Sequence, residues 1–183
     1  MGNQLLVTAV GEDKPGIVAR VTEVLAGHGA NLEASRMAIL GGEFAAIMLV
    51  TGASDKLEAI KKDLSVLEKD GITISTKLTK PTSPEIYKDY VRCELSLRGA
   101  DHEGIVHSVS SQLRDKKINI QSVETDVVGA PVTGTPLFCM NATILVPPDL
   151  PVGKLKEELD EIARSQSVDI DLSTGADKEV ARV

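Results

Sequence analysis

The chain has 183 residues, 42% hydrophobic, 2% aromatic and 26% charged, with a net charge of −7. That length can bury one mid-sized core or two small ones. Up to Lys88 there are 10 basic and 11 acidic residues, and beyond it 10 and 16, so neither half is cationic. Nucleic-acid affinity rests on clustered Lys and Arg and on aromatic stacking, so direct binding to DNA or RNA is not expected. The longest apolar run, Phe44 to Val50, falls far short of the about 20 residues that cross a bilayer. The start, Met1-Gly2-Asn3-Gln4-Leu5, lacks the basic patch and apolar core of a secretory signal. Two cysteines, Cys93 and Cys139, indicate no disulfide scaffold, and both sit where small buried hydrophobes belong. The expectation is a cytoplasmic protein without a cofactor.

Leu5, Val7 and Ala9 alternate along a first strand with one buried face. The loop Gly11-Glu12-Asp13-Lys14-Pro15-Gly16 leads into a helix with an apolar stripe at Ile17, Val21, Val24 and Leu25. Gly29 and Asn31 end that helix. Strands Leu32 to Leu40 and Glu43 to Thr51 follow, joined by the hairpin signal Gly41-Gly42. In Phe44 to Val50 both faces are apolar, so the sheet face away from the helices also requires cover, and pairing of domains is expected. A second helix carries Leu57, Ile60, Leu64 and Leu67, and a last strand runs from Ile72 to Leu78.

The pattern then repeats. Gly11 with Gly99, Asp13 with Asp101, Gly16 with Gly104 and Asn31 with Asn119 all share an offset of 88 residues. Phe44 matches Phe138 at an offset of 94, which places six extra residues in the Gly129 to Pro136 loop. The second copy has a strand at Val91 to Leu97 and helical stripes at Ile105, Val109, Leu113 and at Val152, Leu155, Leu159, Ile162. Its last strand is Val168 to Leu172. Each copy is therefore β-α-β-β-α-β, giving an α+β chain of two ferredoxin-like domains with antiparallel sheets. The expected boundaries are 1–79 and 90–173, with a linker at 80–89 and a flexible tail at 174–183.

The strand-to-helix loop is the best place for chemistry. Unpaired N–H groups and the helix dipole attract an anion there. Pro15 suits a first helical turn, and Gly16 lets a ligand or a backbone come close. Asp13 either caps the helix or receives an ammonium group, so a zwitterionic amino acid fits, with Asn31 as a further partner for the ammonium. A phosphate loop would need Lys and then Ser or Thr after Gly16, but Ile17 and Val18 follow, so a nucleotide site is rejected. His102 and His107 lie five apart, not at the i, i+4 spacing of a helical zinc pair, and no metal site is expected. His28 is read as complementing a helix C-terminus. No nucleophile has a recognisable base and orienting group, so catalysis is not expected.

Asp13-Lys14-Pro15-Gly16-Ile17-Val18-Ala19 followed by Gly29-Ala30-Asn31-Leu32 resembles the ACT-domain signature. The run Glu33 to Phe44 into Ile47-Met48-Leu49 is similar, more narrowly, to the glycine cleavage system repressor group, which consists of two ACT domains. That resemblance implies sensing of a small amino acid, glycine or similar, by a homodimeric regulator acting through a protein partner such as a transcription activator. It also implies a ligand between the loop of one domain and the second strand of its neighbour. Carried onto this sequence, the ligand-binding positions are Asp13, Lys14, Pro15, Gly16, Ile17 and Asn31, with Asp101, His102, Gly104, Ile105 and Asn119 in the second copy. His102-Glu103 replaces Lys14-Pro15 and adds negative charge beside the second loop. A ligand-free dimerisation module and a regulatory subunit of a formyltetrahydrofolate deformylase-type enzyme are the alternatives.

Overall fold

A computed structural model describes residues 4–80, 84–130 and 133–175. The chain divides into two compact units, Met1–Ser83 and Pro84–Val183.

In the first unit β1 (Gln4–Glu12) turns Leu5, Val7 and Ala9 into the core. Helix α1 (Ile17–Gly27) buries Ile17, Val21 and Leu25. Then come β2 (Asn31–Leu40), β3 (Glu43–Thr51), α2 (Ser54–Leu64), a 3-10 turn (Ser65–Asp70) and β4 (Thr73–Thr79). The sheet order is β2-β3-β1-β4, and every pair is antiparallel. Gly41 and Gly42 have φ of 61° and 85°, as a two-residue hairpin with right-handed strand twist requires. Both helices pack on the face that presents Phe44, Ala46, Met48 and Val50. Cross-strand pairing puts Val10, Thr8 and Leu6 of β1 opposite Ala45, Ile47 and Leu49 on the other face, where Val10 and Ile47 are about half-exposed. Leu67 is buried as expected, but from the 3-10 turn, because α2 stops at Leu64.

The second unit opens with a 3-10 turn (Pro84–Tyr87) and repeats the plan. It contains β5 (Val91–Ala100), α3 (Ile105–Asp115), β6 (Asn119–Gly129), β7 (Pro136–Val146), α4 (Val152–Gln166) and β8 (Val168–Thr174), with sheet order β6-β7-β5-β8. Even the irregularities recur: the register of β2 slips between Leu32 and Ala34, and that of β6 between Ile120 and Ser122, 88 residues later. The two units are ferredoxin-like α+β domains of one topology. The added residues widen the second hairpin, where the Ala130 N–H donates to the Thr135 carbonyl at 2.8 Å.

Chain-end expectations change in one place. Ser173 and Thr174 are paired with Glu94 and Cys93 in the sheet, so they extend β8 and do not begin a tail. The rest of the expected tail, 176–183, lies outside the described residues. Gly11 is a packing residue: a Cβ there would stand 2.7 Å from the Gly71 carbonyl oxygen, and at its repeat partner Gly99 one would meet Val168 at 2.4 Å. No helix among the described residues is long and apolar enough to cross a membrane.

Candidate ligand-binding groove

Helix α1 begins after Gly16, whose φ of 99° lies in the left-handed region that glycine adopts without strain. No side chain caps the helix, so Asp13 is not the N-cap; its own N–H donates to the Gly42 carbonyl at 3.0 Å. Pro15 precedes the helix and is not in its first turn. The first i→i−4 bond runs from the Arg20 N–H to the Gly16 carbonyl at 3.0 Å. The amides of Ile17, Val18 and Ala19 come before that ladder, at the positive end of the helix dipole.

Ile17, Val18 and Ala19 line a groove of about 620 Å³. One side is the loop and helix start, from Asp13, Lys14 and Gly16 to Ala19; the other is the hairpin, through Met37, Ala38, Ile39 and Phe44. Ile39 pairs with Phe44 and Met37 with Ala46, which sets Met37, Ile39 and Phe44 on one face of the sheet. Ile39 is 58% exposed, whereas Phe44 is 7% exposed and forms the floor. Lys14 Nζ lies 2.7 Å from Glu12 Oε2. The hydrogen bond and the attraction between them hold Lys14 above its ordinary pKa and Glu12 below its own. Both are well exposed, so the pair orders the loop rim at little energetic gain.

Among the expected positions, Asp13, Lys14, Gly16 and Ile17 are therefore brought together, with Pro15 in the same loop. Asn31 is not. It sits at the opposite end of β2, six residues from Met37, or roughly 20 Å along an extended strand. Its amide donates to Glu33 Oε1 at 2.9 Å, and Thr51 Oγ1 donates to the same oxygen at 2.7 Å. Those two donors, Asn31 first, lower the Glu33 pKa. The matching Asn119 borders a separate groove with Tyr87, Tyr90, Arg114 and Lys117, away from Asp101 and Gly104. Within each unit the repeated asparagine marks the start of an edge strand, outside the lining of the first-copy groove.

The second loop has the same backbone: Gly104 has φ of 90°, and the Ser108 N–H donates to its carbonyl at 2.9 Å. Its contents differ. His102 Nε2 lies 2.9 Å from the Gln166 carbonyl, and Nδ1 lies 3.1 Å from the Glu103 carbonyl. Carbonyls only accept, so both contacts are satisfied together by the imidazolium. The Gln166 bond, then the Glu103 bond, with a smaller attraction to Asp101, raise the His102 pKa. His28 closes α1 and places Nε2 2.8 Å from Asp63 Oδ2 on α2, a partner beyond the helix dipole. Sequence reasoning missed Val18, Met37, Ala38 and Ile39 as groove walls; the available signal was hairpin register, which aligns Ile39 with Phe44 across Gly41-Gly42.

The ACT domain family model matches residues 3–77. The glycine cleavage system transcriptional repressor of Escherichia coli is 43% identical over 60 residues, covering 33% of this chain and 32% of that protein, so the match spans about a third of each. A UPF0237 protein of Methanococcus maripaludis is 44% identical over 75 residues, covering 40% of this chain and 81% of that protein. Among solved structures, an unknown protein from Galdieria sulphuraria is 33% identical with a TM-score of 0.79, covering 95% of this chain and 99% of its own. A structure described as a candidate glycine cleavage system transcriptional repressor shares the fold at 22% identity and a TM-score of 0.69, covering 95% of this chain and 98% of its own. Residues 3–77 thus match the ACT domain in sequence, and the second unit repeats the topology of the first.

Proposed function

We propose that this protein is a cytoplasmic, amino-acid-sensing regulator that binds its ligand in the first-copy groove and acts through a protein partner. One observation carries the reading: Asp13 and the residues that start α1 line the same groove as the apolar Met37, Ile39 and Phe44. A zwitterion meets both needs, with its carboxylate at the amides of Ile17 to Ala19 and its ammonium at Asp13. The E. coli relative is named for repressing transcription. In this chain, whose net charge is −7, such control runs through a transcription activator or a similar protein and not through DNA. The half-exposed apolar residues Val10 and Ile47 support a homodimer that covers the outer sheet face.

The test is calorimetric titration of the full chain with a panel of amino acids. Binding that is lost in Asp13→Ala and kept in the surface control Lys69→Ala is the expected result. If no amino acid binds, the sensor reading fails. The exposed Ile39, Leu40 and Ile47 would then favour the second reading, a ligand-free dimerisation module.

A further inference from the structure

We infer that the ligand of this groove is an amino acid with an apolar side chain of about leucine or methionine size, and not glycine. The inference rests on the sensor reading above and concerns what the groove selects. The groups suited to a zwitterion are Asp13 and the start of α1, on one side of the groove. The side chains lining the rest are apolar: Ile17, Val18, Met37, Ile39 and Phe44. Glycine would engage the polar end and leave those walls in water. A branched or linear apolar side chain would cover them, and removing apolar area from water is the main source of affinity in such sites.

The fold does not require this lining. At the same register the second copy has Thr125 for Met37 and Asp126 for Ala38, on an equally regular β6. His107 replaces Ala19. Val106 and Val127 keep the positions of Val18 and Ile39, so the apolar character of the first groove comes from a few specific residues. Val18 at 39%, Met37 at 38% and Ile39 at 58% exposure contribute little to the core and remain available to a ligand. An acidic side chain would find no free cation among the lining residues, since Lys14 is paired with Glu12.

Titration of the full-length protein with glycine, leucine, methionine and aspartate separates the possibilities. Burial of a leucine-sized side chain predicts about 10- to 100-fold tighter binding than glycine. Met37→Thr, which installs the second copy's own residue, and Ile39→Ser should shrink that margin. Glycine binding as tightly as leucine would overturn this inference while leaving the sensor reading intact. A leucine preference untouched by both substitutions would overturn it too, by placing the ligand elsewhere. No binding by any amino acid would remove the sensor reading, and this inference with it.

Discussion

His102 Nε2 lies 2.9 Å from the Gln166 carbonyl, so one imidazole ties the second strand-to-helix loop to the end of α4. Its pKa is raised above 6.5 in the folded chain, chiefly by that bond. A raised pKa stabilises the fold fully below the unfolded value and loses that contribution as pH rises through the folded value. Stability should therefore fall as pH climbs from below 6.5 through the raised value, and His102→Asn should flatten that part of the profile. Melting temperature against pH for the two proteins checks this. Parallel profiles would contradict it.

Gly16 carries a backbone demand and no packing demand, since a Cβ there meets nothing within 4 Å at a φ of 99°. Gly16→Ala should destabilise by roughly 1–2 kcal/mol from the left-handed backbone alone. Gly11→Ala should cost more, because its Cβ would stand 2.7 Å from a backbone oxygen that cannot swing away. Urea unfolding of both variants measures the order, which reverses if the loop relaxes less easily than the strand.

Asp13 makes no cap bond to α1, so its removal separates binding from folding. Asp13→Ala should change unfolding free energy by less than about 0.5 kcal/mol, as surface substitutions away from special features do. Amino-acid binding should be lost in the same variant. A stability loss of about 1 kcal/mol or more would instead give Asp13 the role of a cap.

Leu57 and Leu159 are 0% and 1% exposed on corresponding second helices, each within its own unit's core. Leu57→Ala and Leu159→Ala should each cost about 2–5 kcal/mol. Hydrogen exchange should show the loss confined to the unit that carries the substitution, if the two cores are energetically separate.

These particulars also mark how far the sequence was legible. The repeat, the hairpin at Gly41-Gly42 and the alternation of Leu5, Val7 and Ala9 report period and turn chemistry, which are local, and they gave the topology. Of the two readings of Asp13, cap or ammonium acceptor, the cap falls because Gly16, by entering the left-handed region, starts the helix without a side-chain oxygen. Asn31 and Asn119 repeat at one offset because each begins the edge strand of its sheet, a shared geometry that a repeated residue reports whether or not a ligand touches it. Met37 and Ile39 escaped notice because a wall built across a hairpin depends on register, which only pairing with Phe44 and Ala46 reveals.

The most direct measurement is amide chemical-shift mapping of the full chain during titration with leucine. Ligand in the first groove predicts shifts concentrated at the amides of Ile17 to Ala19 and along Met37 to Phe44. Shifts confined to Asp101 through Ile105, or none at saturating leucine, would contradict the account.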